Sequence, residues 1–424
     1  MKNIITLLSQ KIQQDSFLKN NIIFFIGSTF GSFLNYLYHP ILSRMMSVED
    51  FGEVQALVSL FLQSVIFLGM FGGIVINIVS NHEELAGKLP TIAKLQRIAF
   101  YSTLVVFVLI VAFKGQLSDS LQFTSFYPFI SLAVLIVINV FYTFRTAYLQ
   151  GRHEFQTYAN SQIILAGAKL FFAIVLVYFG FRSFGAISGL ILAQLLAFYY
   201  IYQKTRQKFN TRHTGSLKID SETRNELKYG TIFLLTMLSL SFFYTSDIII
   251  IKTLFSPRDA GLYSGISTIA RIIFFGTGPI AAVLLPSIKL KNALKENNRM
   301  LLKALMIVGL AGGAVLILFS LFPEFVTGTL IGHQYTAFAP LLWKTSLLLF
   351  LVSLTNVFFS YYLALRRYYI TLIAIGGVAI TIMSTVLSHR SIGNVVDNFI
   401  IGMSFIFILT SFIAFQQYFR TQKI

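Results

Sequence analysis

Four ionisable side chains lie inside long apolar stretches of this sequence, where an ionised group is costly to bury. They are Lys169, Asp247, Arg271 and Lys344. Residues of this kind usually face the interior of a helix bundle or a water-filled cavity. Asp247 is the only acidic residue that we place in such a stretch, so the cations outnumber the acids there. This excess predicts a cavity that accepts an anion, in which Asp247 pairs with a cation or takes up a proton or another coupling cation.

Polar residues recur at helical spacing near these charges. Gln55, Ser59 and Gln63 are four residues apart and therefore share one helix face. Glutamine amides are costly to bury without partners, so a wet cavity is expected beside them. For Ser and Thr, interhelical hydrogen bonds explain the pattern equally well. The candidate binding residues combine buried cations, polar residues on such faces and cations at stretch ends: Lys169, Arg271, Lys344, Asn35, Gln55, Gln63, Arg44 and Lys252. Asp247 is the candidate coupling residue.

Several kinds of chemistry are excluded by missing motifs. The sequence has no cysteine, which excludes disulfides and thiolate catalysis. It contains no GxxxxGK[ST] phosphate loop, no His-Glu-x-x-His and no Gly-x-Ser-x-Gly elbow. We therefore expect no ATP hydrolysis, metal site, cofactor or catalytic residue, and a protein that is not an enzyme.

The composition predicts a membrane protein with many spans. Hydrophobic residues make up 56 % of the chain, charged residues 12 %, and the mean hydropathy is +0.74. A soluble domain carries about 25 % charged residues. A membrane helix needs about 20 apolar residues, and the chain offers about twelve such runs. We place them near 21–43, 54–79, 96–113, 126–148, 157–179, 184–202, 229–254, 261–286, 300–321, 340–364, 369–388 and 396–416.

The distribution of basic residues predicts the orientation. Most of the 33 Lys and Arg fall at the termini and in the even-numbered connections, which places both termini in the cytoplasm. The opposite connections hold Arg44, Lys114, Arg182, Lys252, Arg258 and Arg390. The net charge of +17 is therefore a topology signal, and no nucleic-acid partner is expected.

Two echoes along the chain indicate a duplication. Leu42–Gln63 and Ile251–Ile272 match at Ser47 with Ser256, at Asp50 with Asp259 and at Gly52 with Gly261. The stripe in the second copy is Ser264, Thr268 and Arg271. The second echo pairs Tyr148-Leu-Gln-Gly-Arg152 with Tyr362-Leu-Ala-Leu-Arg366. Such matches predict a parallel repeat of two halves.

The predicted fold is an all-α polytopic membrane protein with two pseudo-symmetric lobes of about six helices each. The predicted regions are a cytoplasmic segment at 1–20, an N-lobe at 21–202, a cytoplasmic linker at 203–228, a C-lobe at 229–416 and a cytoplasmic tail at 417–424. Both echo turns fit the Ser-x-x-acid capping box, with Pro257 at a first helical position. The acids Glu49, Asp50, Glu53 and Asp259 are therefore expected to cap helices rather than to act in catalysis.

The ordered combination of these motifs resembles a known family. Ile22–Ile78 contains Asn35, then Leu42-Ser-Arg44, then Asp50-Phe51-Gly52. The second half has Thr245-Ser-Asp247 followed by Asp259-Ala-Gly261-Leu-Tyr263, and Tyr148–Arg152 matches a turn after the fourth span. In these residues the chain is similar to the polysaccharide biosynthesis family. The resemblance is to its O-antigen and capsule repeat-unit flippase branch (Wzx-like), within the multidrug/oligosaccharidyl-lipid/polysaccharide (MOP) exporter superfamily.

This resemblance implies a V-shaped, MATE-like transporter whose first, second, seventh and eighth spans line a central cavity. It implies transport of a polyprenyl-pyrophosphate-linked repeat unit across the bacterial inner membrane, by alternating access, for O-antigen, capsule or exopolysaccharide assembly. Asp247, Asp50, Gly52, Asp259 and Gly261 match the family pattern. Implied partners are the lipid-linked glycan, membrane lipids, a coupling H⁺ or Na⁺, and polysaccharide polymerase and chain-length proteins. Alternatives are a cation-coupled drug antiporter and a membrane-embedded polymerase, which would need acidic cavity residues or a large outer loop respectively.

Overall fold

The computed structural model describes residues 31, 33–81, 87–209, 221–288 and 294–422, and its regular structure there is helical. The helices are α1 (33–45), α2 (Val48–Asn81), α3 (Leu89–Ala112), α4 (Lys114–Ser120), α5 (Tyr127–Gly151), α6 (Phe155–Tyr178), α7 (Arg182–Thr205), α8 (Ser221–Leu254), α9 (Pro257–Ser287), α10 (Leu294–Leu321), α11 (Pro323–Leu330), α12 (Leu342–Ala364), α13 (Tyr369–Leu387) and α14 (Ile392–Gln422), with a 3-10 helix (His333–Leu341) before α12. The predicted segment at 1–20 and residues 210–220 of the predicted linker lie outside the described residues.

The chain is an all-helical, multi-pass membrane protein. Within the described ranges, 10 helices are long and apolar enough to cross a membrane. They are α2, α3, α5, α6, α7, α8, α10, α12 (with its preceding 3-10 helix), α13 and α14. The described part of α1 and the 31-residue α9 are not among them, although α9 coincides with the run predicted at 261–286. The short helices α4 and α11 and the 3-10 helix occupy connections that the sequence analysis treats as loops.

The helices group into two compact units. The first contains residues up to Met45, Phe67–Leu117 and Ser125–Gly230, and the second contains Met46–Ile66, Ser118–Thr124 and Thr231–Ile424. The helix α2 is therefore divided, because its first half packs with the second unit. The sequence prediction places all of α2 in the N-lobe at 21–202.

The first unit is held by small residues and by polar contacts between helices. A side chain at Gly189 of α7 would lie 2.7 Å from the backbone nitrogen of Ala173 in α6, so glycine permits the close approach of these helices. The amide of Gln194 donates to Asn139 at 3.0 Å. After α7, Lys208 donates to Glu154 at 3.0 Å, and this hydrogen bond raises the pKa of Lys208.

Both predicted caps are confirmed. The hydroxyl oxygen of Ser47 accepts a hydrogen bond from the backbone N–H of Asp50 at 3.1 Å, and that of Ser256 accepts from Asp259 at 3.2 Å. Pro257 is the first residue of α9. The Ser256 hydroxyl also donates to the Asp259 carboxylate at 2.7 Å. The two copies of the turn therefore begin a helix by the same local chemistry.

The second echo needs a correction of one residue. After α5, His153 has φ 58°, and the N–H of Glu154 donates to the carbonyl oxygen of Leu149. After α12, Arg366 has φ 53°, and the N–H of Arg367 donates to the carbonyl oxygen of Tyr362. In this backbone register Tyr148 corresponds to Tyr361, so the pairing of Tyr148 with Tyr362 was wrong. The residue with positive φ at the end of each helix sets the register. Because residues 361 and 362 are both tyrosine, the sequence alone did not show which of them corresponds to Tyr148.

Candidate functional site

The two glycines of the duplicated turn lie against each other in the second unit. A Cβ atom added to Gly52 would lie 2.8 Å from the Cα atom of Gly261, and one added to Gly261 would overlap the backbone carbonyl of Val48. The start of α2 therefore crosses the start of α9 with backbone against backbone. Glycine at this position in both copies is a packing requirement.

Below this crossing, the polar stripe of α2 is hydrogen-bonded to α8 and α9. The Thr268 hydroxyl donates to the side-chain amide oxygen of Gln55 at 3.2 Å, and the Arg271 guanidinium donates to the Ser59 hydroxyl at 3.0 Å. The Gln63 amide donates to the hydroxyls of Thr245 and Ser246 at 3.0 and 3.1 Å. We call these contacts the polar seam; its members are Gln55, Ser59, Gln63, Thr245, Ser246, Thr268 and Arg271. Gln55, Ser59 and Gln63 share one helix face as predicted, but side chains of neighbouring helices form hydrogen bonds with their polar groups.

Asp247 lies beside the polar seam and makes three polar contacts with α9. Its Oδ2 accepts hydrogen bonds from the Tyr263 hydroxyl at 2.8 Å and from the Ser267 hydroxyl at 2.5 Å. Its Oδ1 faces the Arg271 guanidinium at 3.6 Å. Asp247 and Arg271 are 1 % and 4 % exposed, so this ion pair is removed from solvent. Pairing of Asp247 with one of the cations, one of the options predicted, is confirmed.

Sequence reasoning missed Tyr263 and Ser267 as partners of Asp247. Tyr263, Ser267 and Arg271 are four residues apart on α9, so the signal of a shared face was present in the sequence. The stripe chosen from the repeat, Ser264 and Thr268, lies one residue further along the helix. These two stripes adjoin: Tyr263 and Ser267 contact Asp247 on α8, Thr268 contacts Gln55 on α2, and Arg271 contacts both helices.

Lys252 lies at the end of α8 and is fully buried. Its ammonium lies 4.8 Å from the centre of the Phe123 ring and has no hydrogen-bond partner in the described part of the chain. The carboxylates of Glu53 and Asp50 offset its charge through space. Glu53 is also buried, and it accepts a hydrogen bond from the backbone N–H of Thr124 at 2.7 Å.

Lys344 has an acidic partner that the sequence analysis did not count. Its ammonium lies 2.8 Å from the carboxylate of Asp397 near the start of α14. The count of Asp247 as the only acid inside a span was therefore wrong, because Asp397 and the buried Glu53 also lie within span helices. Because Asp397 offsets the positive charge of Lys344, the argument that a cation within the membrane attracts an anion is weaker for Lys344 than for Lys169.

We predict that replacing Lys344 with glutamine changes stability little. The side chains of Lys344 and Asp397 are 25 % and 40 % exposed, and exposed ion pairs contribute about 0–1 kcal/mol. Thermal unfolding of the purified variant in detergent checks this, with Trp343→Phe as a control for the neighbouring packing. A loss comparable to that of a buried pair would contradict it.

The other predicted binding residues belong to the first unit. The Lys169 ammonium lies 4.4 Å from the centre of the Tyr38 ring, and its side chain is half-buried. Asn35 and Arg44 are exposed, and Arg44 donates to the carbonyl of Pro40 at 2.8 Å. Within the ranges that the structure describes, no three His, Asp or Glu side chains are grouped to hold a metal ion.

A family comparison covers most of the chain. The model of a family described as "polysaccharide biosynthesis protein" matches residues 17–290. The chain belongs to this family. No curated protein matches it.

Solved structures establish the fold. An inward-facing multidrug resistance MATE family transporter of the MOP superfamily is 15 % identical, with a TM-score of 0.70, over 93 % of this chain and 95 % of that one. The lipid II flippase MurJ, in an inward closed conformation, is 14 % identical with a TM-score of 0.69 over 92 % and 87 %. The MATE multidrug transporter DinF-BH is 12 % identical with a TM-score of 0.70 over 92 % and 94 %. The chain therefore has the MATE and MurJ fold.

Proposed function

We propose that this protein is a flippase that moves a polyprenyl-pyrophosphate-linked oligosaccharide repeat unit across the cytoplasmic membrane for assembly of a surface polysaccharide. The observation that carries the proposal is the buried Arg271–Asp247 pair, bonded to a polar seam inside an apolar helical protein of a polysaccharide biosynthesis family. Buried charges in membrane helices are expensive and usually serve transport or ion movement.

The proposed mechanism is alternating access without ATP. The sugar and pyrophosphate enter a polar cavity, while the polyprenyl tail stays in the lipid. Lys169, Arg271 and Lys344 are proposed to attract the anion, helped by Asn35, Gln55, Gln63, Arg44 and Lys252. Since a phosphate loop is absent from the sequence, the driving force is a proton or sodium gradient acting through Asp247, the membrane potential, or consumption of the product outside.

The proposed setting follows from the same reading. The two lobes at 21–202 and 229–416, joined by the linker at 203–228, move against each other, and both termini face the cytoplasm. The repeat unit then passes to a polymerase and to chain-length proteins, which build the O-antigen, capsule or exopolysaccharide. The protein acts as a transporter and not as an enzyme.

The sidedness of lipid-linked oligosaccharide in cells that lack the protein tests this proposal. We expect repeat units to accumulate on the inner leaflet and surface polysaccharide to be lost. Repeat units that reach the outer leaflet but stay unjoined would instead indicate a polymerase. Normal polysaccharide with altered drug sensitivity would indicate a cation-coupled antiporter.

We predict that the double variant Lys169→Ala/Arg271→Ala loses most export while the protein remains in the membrane. Both side chains carry a positive charge within an apolar helical protein, Lys169 beside the Tyr38 ring and Arg271 paired with Asp247, where attraction to an anion is strong. Surface polysaccharide and membrane abundance are measured together in a strain complemented with the variant. Export at the normal level would remove both residues from the mechanism.

A further inference from the structure

The chain that follows α7 turns back onto the first unit at the start of the linker. α7 ends at Thr205, and the backbone N–H groups of Lys208 and Phe209 donate to the Thr205 carbonyl at 3.1 and 2.8 Å. This turn carries Phe209 to the end of α5, where its ring centre lies 4.8 Å from that of Tyr148. Phe209 is 1 % exposed, whereas the three residues before it are exposed. The buried ring therefore anchors an otherwise exposed polar turn.

Arg145 on α5 also contacts this ring. Its guanidinium carbon lies 5.4 Å from the ring centre of Phe209, 4.7 Å from that of Tyr202 and 5.9 Å from that of Phe198. These distances lie within the range of cation–π attraction. The guanidinium also donates to the Thr205 hydroxyl. Arg145 thus joins α5 to the last two turns of α7 and to Phe209.

Arg145 satisfies its charge without an acidic partner. It lies inside the span formed by α5, and none of the ion pairs in the described ranges includes it. A cation within a span is costly unless it has a partner, and a guanidinium that is desolvated against aromatic faces gains from their electron-rich rings. The three rings and the Thr205 hydroxyl supply this compensation. The charge of Arg145 is therefore engaged within the first unit.

An ion pair at the surface adds little to this anchor. Lys208 donates to Glu154, in the connection after α5, at 3.0 Å. Their side chains are 60 % and 29 % exposed, and ion pairs with this exposure contribute little to stability. The attachment of the turn therefore depends on Phe209 and Arg145.

The second copy of the repeat has no such anchor in its described residues. Tyr361 corresponds to Tyr148 and is also buried, but its hydroxyl donates to Asn298 on α10 and its ring contacts Tyr362. α14, which corresponds to α7, runs as one helix to Gln422 and does not turn back. The returning turn is thus present in the copy that a linker follows. This difference between the copies indicates that the turn serves the linker rather than the packing of the unit.

We propose that Phe209 and Arg145 form a latch that fixes the point at which the linker leaves the first unit. With the latch closed, residues 210–220 begin beside α5. With the latch open, the linker begins at the end of α7 and gains the segment 206–209, which extends its reach by about 14 Å at most. Arg145 is a positioning residue of this latch. The latch itself stands apart from the proposed function, and its effect on export rests on that function.

The absence of native cysteines permits a direct test with single spin labels. Gln207→Cys places a label on the exposed part of the turn, and Lys204→Cys places a control label in the last turn of α7. The full-length protein is reconstituted in phosphatidylethanolamine/phosphatidylglycerol vesicles, and label mobility is measured by electron paramagnetic resonance. Each label is combined with Phe209→Ala and with Arg145→Met, which removes the charge but keeps an unbranched side chain.

We expect Phe209→Ala and Arg145→Met each to raise the mobility at position 207 several-fold, to leave position 204 unchanged, and to add little to each other when combined. Arg145→Lys keeps a positive charge near the rings and should stay closer to the native protein, while Lys208→Gln should change the mobility little. Native mobility at position 207 in both variants overturns the latch. An equal rise at position 204 also overturns it, because α7 itself would then be fraying.

Export is measured in a strain whose copy of the protein carries Phe209→Ala, at equal membrane abundance. We expect surface polysaccharide to fall several-fold, because the linker no longer leaves the first unit at a fixed point. Phe179→Ala, at a residue 70 % exposed between α6 and α7, should leave export normal. Normal export with a mobile position 207 overturns the role of the latch in transport. If cells without the protein export normally, the proposed function fails, and the mobility results still decide whether the latch exists.

Discussion

Replacing Gly261 with alanine is expected to cause a large loss of stability, because the new Cβ atom would overlap the backbone carbonyl of Val48. Backbone atoms cannot move aside as a side-chain tip can, so α2 and α9 must separate. Overpacking in a tight core costs about 1–3 kcal/mol and sometimes more. The measurement is the midpoint of thermal unfolding of the purified protein in detergent. Gly52→Ala, whose Cβ would lie 2.8 Å from the Cα of Gly261, is expected to behave similarly.

Gly276→Ala is the matched control for this prediction. It lies on the same helix, and no atom lies within 4 Å of the position that its Cβ would occupy. Alanine favours a helix over glycine by about 1 kcal/mol, so this variant should be as stable as the native protein or more so. If Gly261→Ala and Gly276→Ala unfold at the same temperature, the crossing of α2 and α9 is not as close as described.

Replacing Asp247 with asparagine should destabilise the protein by several kcal/mol. The change preserves shape but leaves the Arg271 guanidinium, only 4 % exposed, without a countercharge. Breaking a buried ion pair by removing one partner costs about 3–5 kcal/mol. Denaturation in detergent measures the loss, and Asp397→Asn in the exposed pair with Lys344 should cost about 1 kcal/mol or less.

The double variant Asp247→Asn/Arg271→Gln separates the buried charge from the other roles of these residues. Removing both charges should recover most of the stability, since no unpaired ion remains at this site. Transport should not recover, because the proposed contact with the diphosphate is gone. A double variant as unstable as Asp247→Asn would show that hydrogen bonds, and not charge, dominate at this site.

Local chemistry was predictable from the sequence, whereas the partners of long-range contacts were not. Ser47 and Ser256 could be assigned as caps because a cap depends on residues three positions apart. The spacing of Gln55 and Gln63 correctly placed them on one helix face, but spacing does not reveal whether water or another helix covers that face. The pairing of Lys344 with Asp397 spans 53 residues, and no periodic pattern connects the two.

The division of α2 between the compact units was similarly beyond the sequence. Its match to α9 is a repeat in the sequence, and a repeat does not show that the first half of α2 packs against α8 and α9. The one-residue error at Tyr362 has a simpler origin. Two adjacent tyrosines offered equivalent matches, and only the positive φ of Arg366 distinguishes them.

The meeting of Gly52 with Gly261 has a consequence for how the duplicated halves can diverge. Most paired positions of a duplication are free to drift apart once each copy has its own neighbours. Here each copy is the neighbour of the other, so a side chain gained at either position strikes the backbone of the opposing helix. A substitution in one copy cannot compensate for a side chain gained in the other, because glycine has no side chain that could be made smaller. We expect this pair to be among the last traces of the internal repeat to disappear from related sequences.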